Sequence, residues 1–438
     1  MTAREVAFLT VRDVFPFDGS PGRGAQEALE YRAGKEKLDV RDRAFCTHLV
    51  FGTIKMRRTL DWYLAPYIGQ RGKALPPAIA EILRLGFYEL LFSAAADHAV
   101  VSQWVNAAKR HGHRGTAGLV NAVFRGCLRD RPAPPQPADF ENEDEYFGTL
   151  YSYPTWIVRQ WRGVFGTQLE DLLKACNEPA HPAVTVNRKR QSREELQTRF
   201  AGRGIATQPS ALSEDSLLLE NGAALAADHE ETGWWLQSES SAMVVDVLNP
   251  HSGEKIVDAC SGRGSKALQI AARLDDANSL LCIDRERRKI ETLERRAKNE
   301  GLNLTAIAGD ATVPLLPQRV DRVLIDAPCS GLGVLGRHPE ARWRKHPDDG
   351  ERLALTQRAL LDALVPQVFD GGAIVYAVCS TDPRETTEVI DWCLRAHNVE
   401  RGLIPGRLAE LQTAEGDLLV PPGLHGRDGF YVARLERR

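Results

Sequence analysis

The sequence predicts an α/β protein in which an all-α region precedes a mainly parallel sheet. Through the first 130 positions, apolar residues recur at three- and four-residue steps, which is the period of helices with one buried face. From about residue 235 onward, short apolar runs of strand length alternate with helical segments. Such alternation is typical of a parallel sheet that helices cover on both faces.

Composition favours an ordinary soluble globular protein. Its 438 residues, 43% of them apolar, suggest two to four domains at roughly 150 residues each. The formal net charge of −3 argues against binding to nucleic acid through total charge, but it leaves local basic patches open. We find no signal-peptide core and no run of about 18 apolar residues, so we expect a cytoplasmic protein. Eight cysteines without a C-x-x-C pair favour free thiols over a disulfide framework.

The first helices follow directly from apolar periodicity. They are predicted over Leu49–Met56, Ile79–Leu90 and Leu119–Leu128. The segment Arg131–Pro137 then contains four prolines within six residues. Because proline can neither continue a helix nor lie inside a sheet, we predict a domain boundary or stiff linker there.

The middle of the chain predicts a small α/β segment. A helix is expected through Trp156–Phe165 and a short strand over Ala183–Asn187, and the basic run Arg188–Arg190 follows that strand.

The last 200 residues predict the parallel sheet. Its strands are expected at Lys255–Ala259, Leu280–Ile283, Leu304–Ala308, Arg322–Ile325 and Ala373–Val378. A helix between two of these strands covers Arg285–Glu300 and ends at Gly301, and another covers roughly 351–369, where Pro366 should kink or shorten it.

A glycine-rich turn follows the first strand of this sheet and predicts a cofactor site. The turn runs from Asp258 to Lys266, and Asp284 ends the next strand 26 residues after Asp258, where a carboxylate can accept both hydroxyls of a ribose. Asp310 and Asp326 end the two strands that follow. Any one of these acids could be an ordinary loop cap, but four at successive strand ends indicate a ligand crevice. Either a dinucleotide or S-adenosylmethionine would suit it at this point.

Two cysteines at strand ends point to covalent chemistry. Asp326-Ala-Pro-Cys329 ends the fourth strand and Tyr376-Ala-Val-Cys379 ends the fifth. An ionised thiol is a strong nucleophile, so this pair beside a carboxylate suits attack on an electrophilic ring. The alternative is that both thiols are small buried apolar groups.

These motifs resemble the RNA cytosine-5 methyltransferases of the Nol1/Nop2/Sun family, and within it the bacterial Sun/Fmu type that acts on 16S ribosomal RNA. The residues that show the resemblance are Asp326–Gly333, Arg337–Glu340, Trp343, Tyr376–Ser380 and Asp428–Phe430. The first 130 residues resemble the NusB-like helical domain of this bacterial branch, and Leu119–Arg125 is similar to its end. The resemblance implies a Rossmann-like class I methyltransferase domain with a mainly parallel seven-stranded sheet, preceded by an all-α NusB-like domain.

The resemblance also implies domain limits and residue roles. The domains would be a NusB-like RNA-binding domain over 1–135, a small α/β RNA-binding subdomain over 140–230 and a catalytic domain over 231–438. Cys379 would attack C6 of a cytosine, Cys329 would assist loss of the C5 proton and release of the product, and Asp326 would hydrogen-bond the ring. S-adenosylmethionine would be held by Cys260, Ser261, Gly262, Arg263, Gly264, Ser265, Lys266, Asp284, Asp310 and Asp326.

The cofactor loop departs from the family pattern. The family usually has Ala-Pro-Gly-Gly-Lys-Thr, whereas this chain has Ser-Gly-Arg-Gly-Ser-Lys-Ala over 261–267. Ser238 stands where the family commonly has an acid. Lys266 and one glycine keep their register, and Gly262 is expected to restore the backbone freedom that is lost elsewhere.

An enzyme of this kind needs a flipped-out or single-stranded cytosine, since a base inside a duplex is unreachable. The basic cluster that follows the Cys329 loop predicts RNA contacts at Arg337, His338 and Arg342. We expect a monomer and no metal. Three alternatives remain: the same chemistry on tRNA, a non-catalytic RNA-binding or antitermination factor, and a nicotinamide-dependent dehydrogenase that uses Gly262–Ala267.

Overall fold

The computed structural model describes residues 1–68, 75–220, 232–275, 279–313 and 318–438. The chain divides into two compact units. One comprises Met1–Glu170 together with His338–Arg344, and the other comprises Asp171–Arg337 together with Lys345–Arg438. The predicted domain boundary at 230/231 lies outside the described residues.

The first unit is helical, as its apolar periodicity predicts. Its helices are α1 (Ala3–Val14), α2 (Ala25–Glu36), α3 (Val40–Lys55), α4 (Arg57–Ile68), α5 (Pro77–Phe92), α6 (Asp97–His111), α7 (Arg114–Asp130), α8 (Glu143–Leu150) and α9 (Thr155–Phe165). Large apolar side chains such as Phe8, Leu49, Trp104 and Phe124 are buried at its centre. Inside this core the indole N–H of Trp104 donates to the buried carboxylate of Glu89 (2.8 Å).

The boundary between the two compact units lies after Glu170, well beyond the proline-rich segment Arg131–Pro137. Helices α8 and α9 follow the prolines but belong to the first unit. Arg58, at the start of α4, explains this difference because its guanidinium donates to Thr149 Oγ1 (3.1 Å), to the Tyr153 carbonyl (2.8 Å) and to Thr155 Oγ1 (2.9 Å). These long-range hydrogen bonds bind the segment after the prolines to the helices before them.

The second unit contains a small antiparallel sheet. Among the described residues, two helices and four strands form this region, and the first helix begins two residues before the unit does. In chain order they are α10 (Leu169–Ala175), β1 (Ala183–Val186), α11 (Arg193–Ala201), β2 (Thr207–Pro209), β3 (Ser216–Leu219) and β4 (Trp234–Leu236), and the strand order in the sheet is β2-β3-β1-β4. The basic run after β1 serves packing, since Arg188 pairs with the buried Asp215 and Arg190 donates to the carbonyls of Asn299 and Glu300.

The large sheet and its helices form the rest of this unit. They are α12 (Glu239–Leu248), β5 (Ile256–Asp258), α13 (Ser265–Arg273), β6 (Leu280–Asp284), α14 (Arg287–Glu300), β7 (Thr305–Ala308), β8 (Val320–Asp326), α15 (Asp349–Leu364), β9 (Val368–Val378), α16 (Thr387–Ala396), β10 (Val399–Arg401), β11 (Leu418–Val420) and β12 (Phe430–Arg437). Within the described residues, seven strands lie side by side in the order β10-β12-β9-β8-β5-β6-β7, and β11 pairs with β12 as an eighth.

The strand pairing confirms a mainly parallel sheet. Strands β5 to β9 pair in parallel, whereas β12 is antiparallel to β9, β10 and β11. Pro366 acts as expected, because α15 ends at Leu364 and a 3₁₀ turn separates it from β9. Among the described helices, none combines the length and apolar character needed to cross a membrane.

Candidate active site

The site lies where the strand order of the large sheet reverses. Strand β5 pairs with β6 on one side and with β8 on the other. The chain therefore adds β6 and β7 on one side of β5 and then crosses back to add β8 on the opposite side. In open α/β sheets, ligands bind outside the carboxyl ends of strands at such a point. Asp258, Asp284 and Asp326 end these three strands, and Cys379 follows β9 directly.

The glycine-rich loop closes tightly over this edge, and two of its glycines adopt positive φ. Gly262 has φ +56° and Gly264 has φ +91°, and α13 begins at the next residue. A Cβ on Gly264 would lie 2.2 Å from Leu293 Cδ1, so this position requires glycine for packing as well as for conformation. The backbone N–H of Gly262 donates to Asp284 Oδ2 (3.0 Å). The altered loop therefore keeps a defined conformation that is tied to the end of β6.

A cavity of about 270 Å³ opens beside this loop. Five of the residues assigned to the cofactor line it, namely Cys260, Gly262, Asp284, Asp310 and Asp326. The other five are not part of the lining: Ser261, Arg263, Gly264, Ser265 and Lys266. These five shape the loop from outside the cavity, as in the hydrogen bond from the buried Ser261 hydroxyl to the Ile283 carbonyl (3.2 Å).

The acids of the cavity fit a ligand that carries hydroxyl and amine donors. Asp284 accepts the backbone N–H of Glu286 (2.9 Å) as well as that of Gly262, and each carboxylate oxygen retains a second lone pair. The Thr312 hydroxyl and the Arg285 guanidinium hydrogen-bond Asp310 and lower its pKa to about 2. Asp310 is therefore ionised at neutral pH and acts purely as an acceptor. These two acceptors suit the ribose hydroxyls and the adenine amino group of S-adenosylmethionine.

We expect Asp284→Ala to weaken S-adenosylmethionine binding by about 10- to 100-fold, because it removes a charged acceptor of hydroxyl hydrogen bonds. Isothermal titration calorimetry with S-adenosylmethionine measures the change. Asp275→Ala, which removes an exposed acid whose carboxylate accepts from Ser252, is the control and should bind like wild type. Equal affinities of the Asp284 and Asp275 variants would contradict the assignment.

Asp258 is the most deeply buried of the four acids at or after the strand ends. It is 1% exposed, and neither carboxylate oxygen has a hydrogen-bond partner among the described residues. Burial, reinforced by the charge of Asp326, raises the pKa of Asp258 to about 7. Its ordinary value in an unfolded chain is about 3.9. Between these two values the folded protein binds more protons than the unfolded one, so stability falls as pH rises from about 4 to about 7.

Asp258→Asn should therefore raise the melting temperature of the cofactor-free protein by a few degrees at pH 8 and by clearly less at pH 5. At pH 5 the carboxyl is neutral in the folded wild type and ionised in the unfolded chain, so only the first part of the destabilisation is present there. Melting curves at the two pH values provide the measurement. The same shift at both pH values would contradict a buried, pH-dependent charge.

The two thiols at the strand ends are adjacent. Cys329 Sγ lies 3.3 Å from Cys379 Sγ, and both side chains are half-buried. The hydrogen bond to Cys379, together with burial, raises the pKa of Cys329 well above its usual value. The Cys329 thiol therefore keeps its proton at neutral pH, and either sulfur could be the donor in the contact between the two thiols.

Asp326 lies at the end of β8 and lines the cofactor cavity. Its Oδ2 accepts from Lys266 Nζ (2.7 Å), and the ammonium also lies 5.3 Å from the Phe430 ring centre. Its side chain is about one third exposed, and Cys329 follows it by three positions in the chain. Lys266 thus acts on the site through Asp326.

Arg342 was expected to contact RNA, and that prediction is wrong. Its side chain is 0% exposed inside the helical unit, where the guanidinium lies 3.8 Å from the Tyr153 ring centre and donates to the Ser152 carbonyl (3.3 Å). The neighbouring Trp343 donates to the Ile54 carbonyl (2.7 Å). A cationic side chain can be stacked and hydrogen-bonded in a core as well as displayed to a phosphate, and the local sequence does not distinguish these fates.

Arg337 and His338 keep exposed surface. The Arg337 guanidinium pairs with both oxygens of Asp428 (2.8 and 2.9 Å) and donates to the His181 carbonyl (2.8 Å), with 29% of the side chain exposed. His338 belongs to the segment that packs with the helical unit, and 55% of its side chain is exposed.

Sequence reasoning missed the buried Glu385, which hydrogen-bonds residues next to both cysteines. It lies in a polar segment, Thr381–Glu388, in which no periodicity separates a buried acid from exposed ones. Its short distance along the chain from Cys379 was the one available signal.

The strand order, with a cavity at its switch point, is that of a Rossmann-like class I methyltransferase domain. Among known proteins, the chain is 34% identical over 417 residues to ribosomal RNA small subunit methyltransferase B of Thermus thermophilus, covering 95% of this chain and 94% of the relative. The chain belongs to the RsmB/F family of 16S rRNA methyltransferases.

Other relatives and the family models agree. A probable ribosomal RNA small subunit methyltransferase B of Synechocystis is 32% identical over the full length of both chains, and one of Bacillus subtilis is 31% identical over 92% of each. The model for 16S rRNA methyltransferase RsmB/F matches residues 245–436, the NusB family model matches 1–129, and the ferredoxin-like domain model of RsmF/B-like methyltransferases matches 153–226. These matches confirm the resemblance and both predicted folds.

Solved structures show the same fold. The crystal structure of PH0851 superposes with a TM-score of 0.82 at 22% identity, covering 100% of this chain and 99% of that one. A methyltransferase homolog protein from Pyrococcus horikoshii superposes with a TM-score of 0.60 at 20% identity, covering 68% of this chain and all of the other.

Proposed function

We propose that this chain transfers a methyl group from S-adenosylmethionine to C5 of a cytosine in 16S ribosomal RNA. The observation that best supports this is the pair of thiols 3.3 Å apart, one of which follows a cavity-lining acid, Asp326, by three positions in the chain. Family membership favours this reaction over a nicotinamide-dependent dehydrogenase and over a non-catalytic factor. The RNA substrate implies a cytoplasmic reaction.

Cys379 is the proposed nucleophile. Its thiolate forms a bond to C6 of the cytosine, and the electron pair of the C5–C6 double bond shifts so that C5 becomes nucleophilic. Cys329, which keeps its proton, is the hydrogen-bond donor that stabilises the neighbouring thiolate before attack. The contact between the two sulfurs supports a joint role for the two thiols, and family resemblance implies which of them attacks.

Asp326 is the proposed ring-binding residue. It accepts a hydrogen bond from the amino group of the cytosine, and when protonated its carboxyl donates to N3 and stabilises the negative charge that develops as C6 is attacked. The ion pair with Lys266 holds this carboxylate in place at the end of β8. When bound, S-adenosylmethionine supplies an electrophilic methyl group, and Cys260, Gly262, Asp284 and Asp310 are the residues that would hold it.

Cys329 has a second proposed role after methyl transfer. It assists transfer of the C5 proton to solvent water, after which the electron pair of the C5–H bond re-forms the double bond and the bond between Cys379 Sγ and C6 breaks, which releases Cys379 as a thiolate. Each thiol thus ends the cycle in its starting state. Arg337 and His338, which retain exposed surface, are the proposed RNA contacts.

Transfer of labelled methyl from S-adenosylmethionine to protein-free, unmodified small-subunit rRNA tests the proposal. Digestion to nucleosides should show the label in 5-methylcytidine, and tRNA offered under the same conditions should remain unlabelled. Label in another nucleoside, or preferential labelling of tRNA, would overturn the reaction or the substrate respectively.

A further inference from the structure

Glu385 is a buried carboxylate to which the proposed chemistry assigns no step. It is 0% exposed and lies seven residues beyond the end of β9. Its Oε1 accepts the backbone N–H of Ser330 (2.8 Å), and its Oε2 accepts the hydroxyls of Ser330 and of Ser380 (2.5 Å for the latter). Ser330 directly follows Cys329, and Ser380 directly follows Cys379. One carboxylate therefore binds both cysteine loops.

A second set of hydrogen bonds holds Glu385 itself. The side-chain amide of Gln357, on α15, donates to Glu385 Oε1 (3.0 Å) and also to the carbonyl of Pro328, the residue before Cys329 (3.0 Å). The hydroxyl of the buried Tyr376, on β9, donates to the backbone carbonyl of Glu385 (2.6 Å). Helix α15 therefore holds the carboxylate of Glu385, and strand β9 holds its backbone.

The two serine hydroxyls also lie side by side. Ser330 Oγ and Ser380 Oγ are 3.0 Å apart, and because each hydroxyl gives its single proton to Glu385 Oε2, the carboxylate joins the two loops. Four donors around one buried carboxylate leave little freedom for either loop, because a loop that moved away would leave a charged oxygen buried without its partner. An amide in place of the carboxylate would turn an N–H₂ group toward one of these donors.

We infer that Glu385 is the positioning residue that sets the separation of the Cys329 and Cys379 thiols. This inference rests on the proposed function, because it concerns the geometry in which Cys379 attacks and Cys329 assists. Glu385 acts through the two serines, and no reacting atom need contact it. A displacement of about 1 Å at a reacting group can cost roughly 100-fold in rate.

The test compares Glu385→Gln with wild type and with Asp417→Asn. Asp417 is the control because it is also buried in the same unit and its carboxylate accepts the Tyr431 hydroxyl (2.6 Å) and pairs with Arg401 (3.1 Å). Among the described residues, its hydrogen-bond partners lie outside both cysteine loops. We expect kcat for rRNA methylation to fall about 100-fold in Glu385→Gln, with KM for RNA and for S-adenosylmethionine within about twofold of wild type. Trapping of covalent adduct with rRNA that contains 5-fluorocytidine should slow to the same extent.

A merely structural role predicts a different pattern. It would lower the melting temperature of both variants and leave kcat of the folded fraction unchanged in both. Wild-type kcat and adduct formation in folded Glu385→Gln would overturn the inference. If that variant does not fold, the double variant Ser330→Ala, Ser380→Ala removes the connection while keeping the acid, and the same loss of kcat is expected. No methyl transfer by wild type would instead contradict the proposed function itself.

Discussion

Cys379→Ala should abolish methylation of small-subunit rRNA, with a fall in kcat of at least roughly 10³-fold. The variant lacks the sulfur that forms the bond to C6, so C5 never becomes nucleophilic. S-adenosylmethionine should still bind with wild-type affinity, since Cys379 is not part of the lining of the cofactor cavity. Labelled methyl transfer and calorimetry of cofactor binding, performed on the same preparation, provide the two measurements.

The matched control for this prediction is Cys393→Ala. Cys393 is a fully buried thiol on α16 of the same unit, where burial raises the pKa of the sulfur to about 12. Its removal should lower stability and leave kcat of the folded protein unchanged. Persistent methylation by Cys379→Ala would show that the nucleophile is the other thiol of the pair.

Cys329→Ala should retain the first methyl transfer but lose turnover, with a fall in steady-state kcat of about 100-fold. Without the group that assists proton loss and product release, the enzyme should remain joined to its RNA through Cys379. Denaturing gel electrophoresis should therefore show a stable protein–RNA adduct that wild type does not accumulate. A single-turnover experiment should still place nearly one labelled methyl on each adduct.

Two results would contradict the role of Cys329. Turnover at the wild-type rate would make it a packing residue, and loss of the first methyl transfer without adduct would make it the nucleophile. The double variant Cys329→Ala, Cys379→Ala should form no adduct at all, which separates a covalent bond through Cys379 from tight non-covalent binding.

Much of the catalytic unit could be predicted from local sequence. Strands are short apolar runs, and their carboxyl ends are marked by acids or cysteines, so the motifs at Asp258, Asp284, Asp326 and Cys379 fell at one edge of the sheet as expected. Parallel strands bring such ends together whatever the intervening sequence is. The helix that ends at Gly301 was equally readable, because glycine there adopts the left-handed conformation (φ +67°) of a helix C-cap.

In the helical unit the apolar faces of the helices could be predicted, but the point at which the unit ends could not. The prolines after α7 predicted a boundary, yet hydrogen bonds from Arg58 to residues more than 90 positions away extend the unit past them. The eighth strand, β11, escaped notice because it is only three residues long and depends on pairing with β12.

The sequence by itself determined the fold class and the family, and it predicted the cofactor edge and the two thiols, since these depend on local patterns and on motifs that are contiguous in the chain. Only the tertiary structure decided that Arg342 is buried, that the thiols lie 3.3 Å apart and that Glu385 binds both cysteine loops. The physical reason is the same in each case. The environment of a charged or polar side chain is set by partners from distant parts of the chain, as when Arg342 meets a carbonyl 190 residues away.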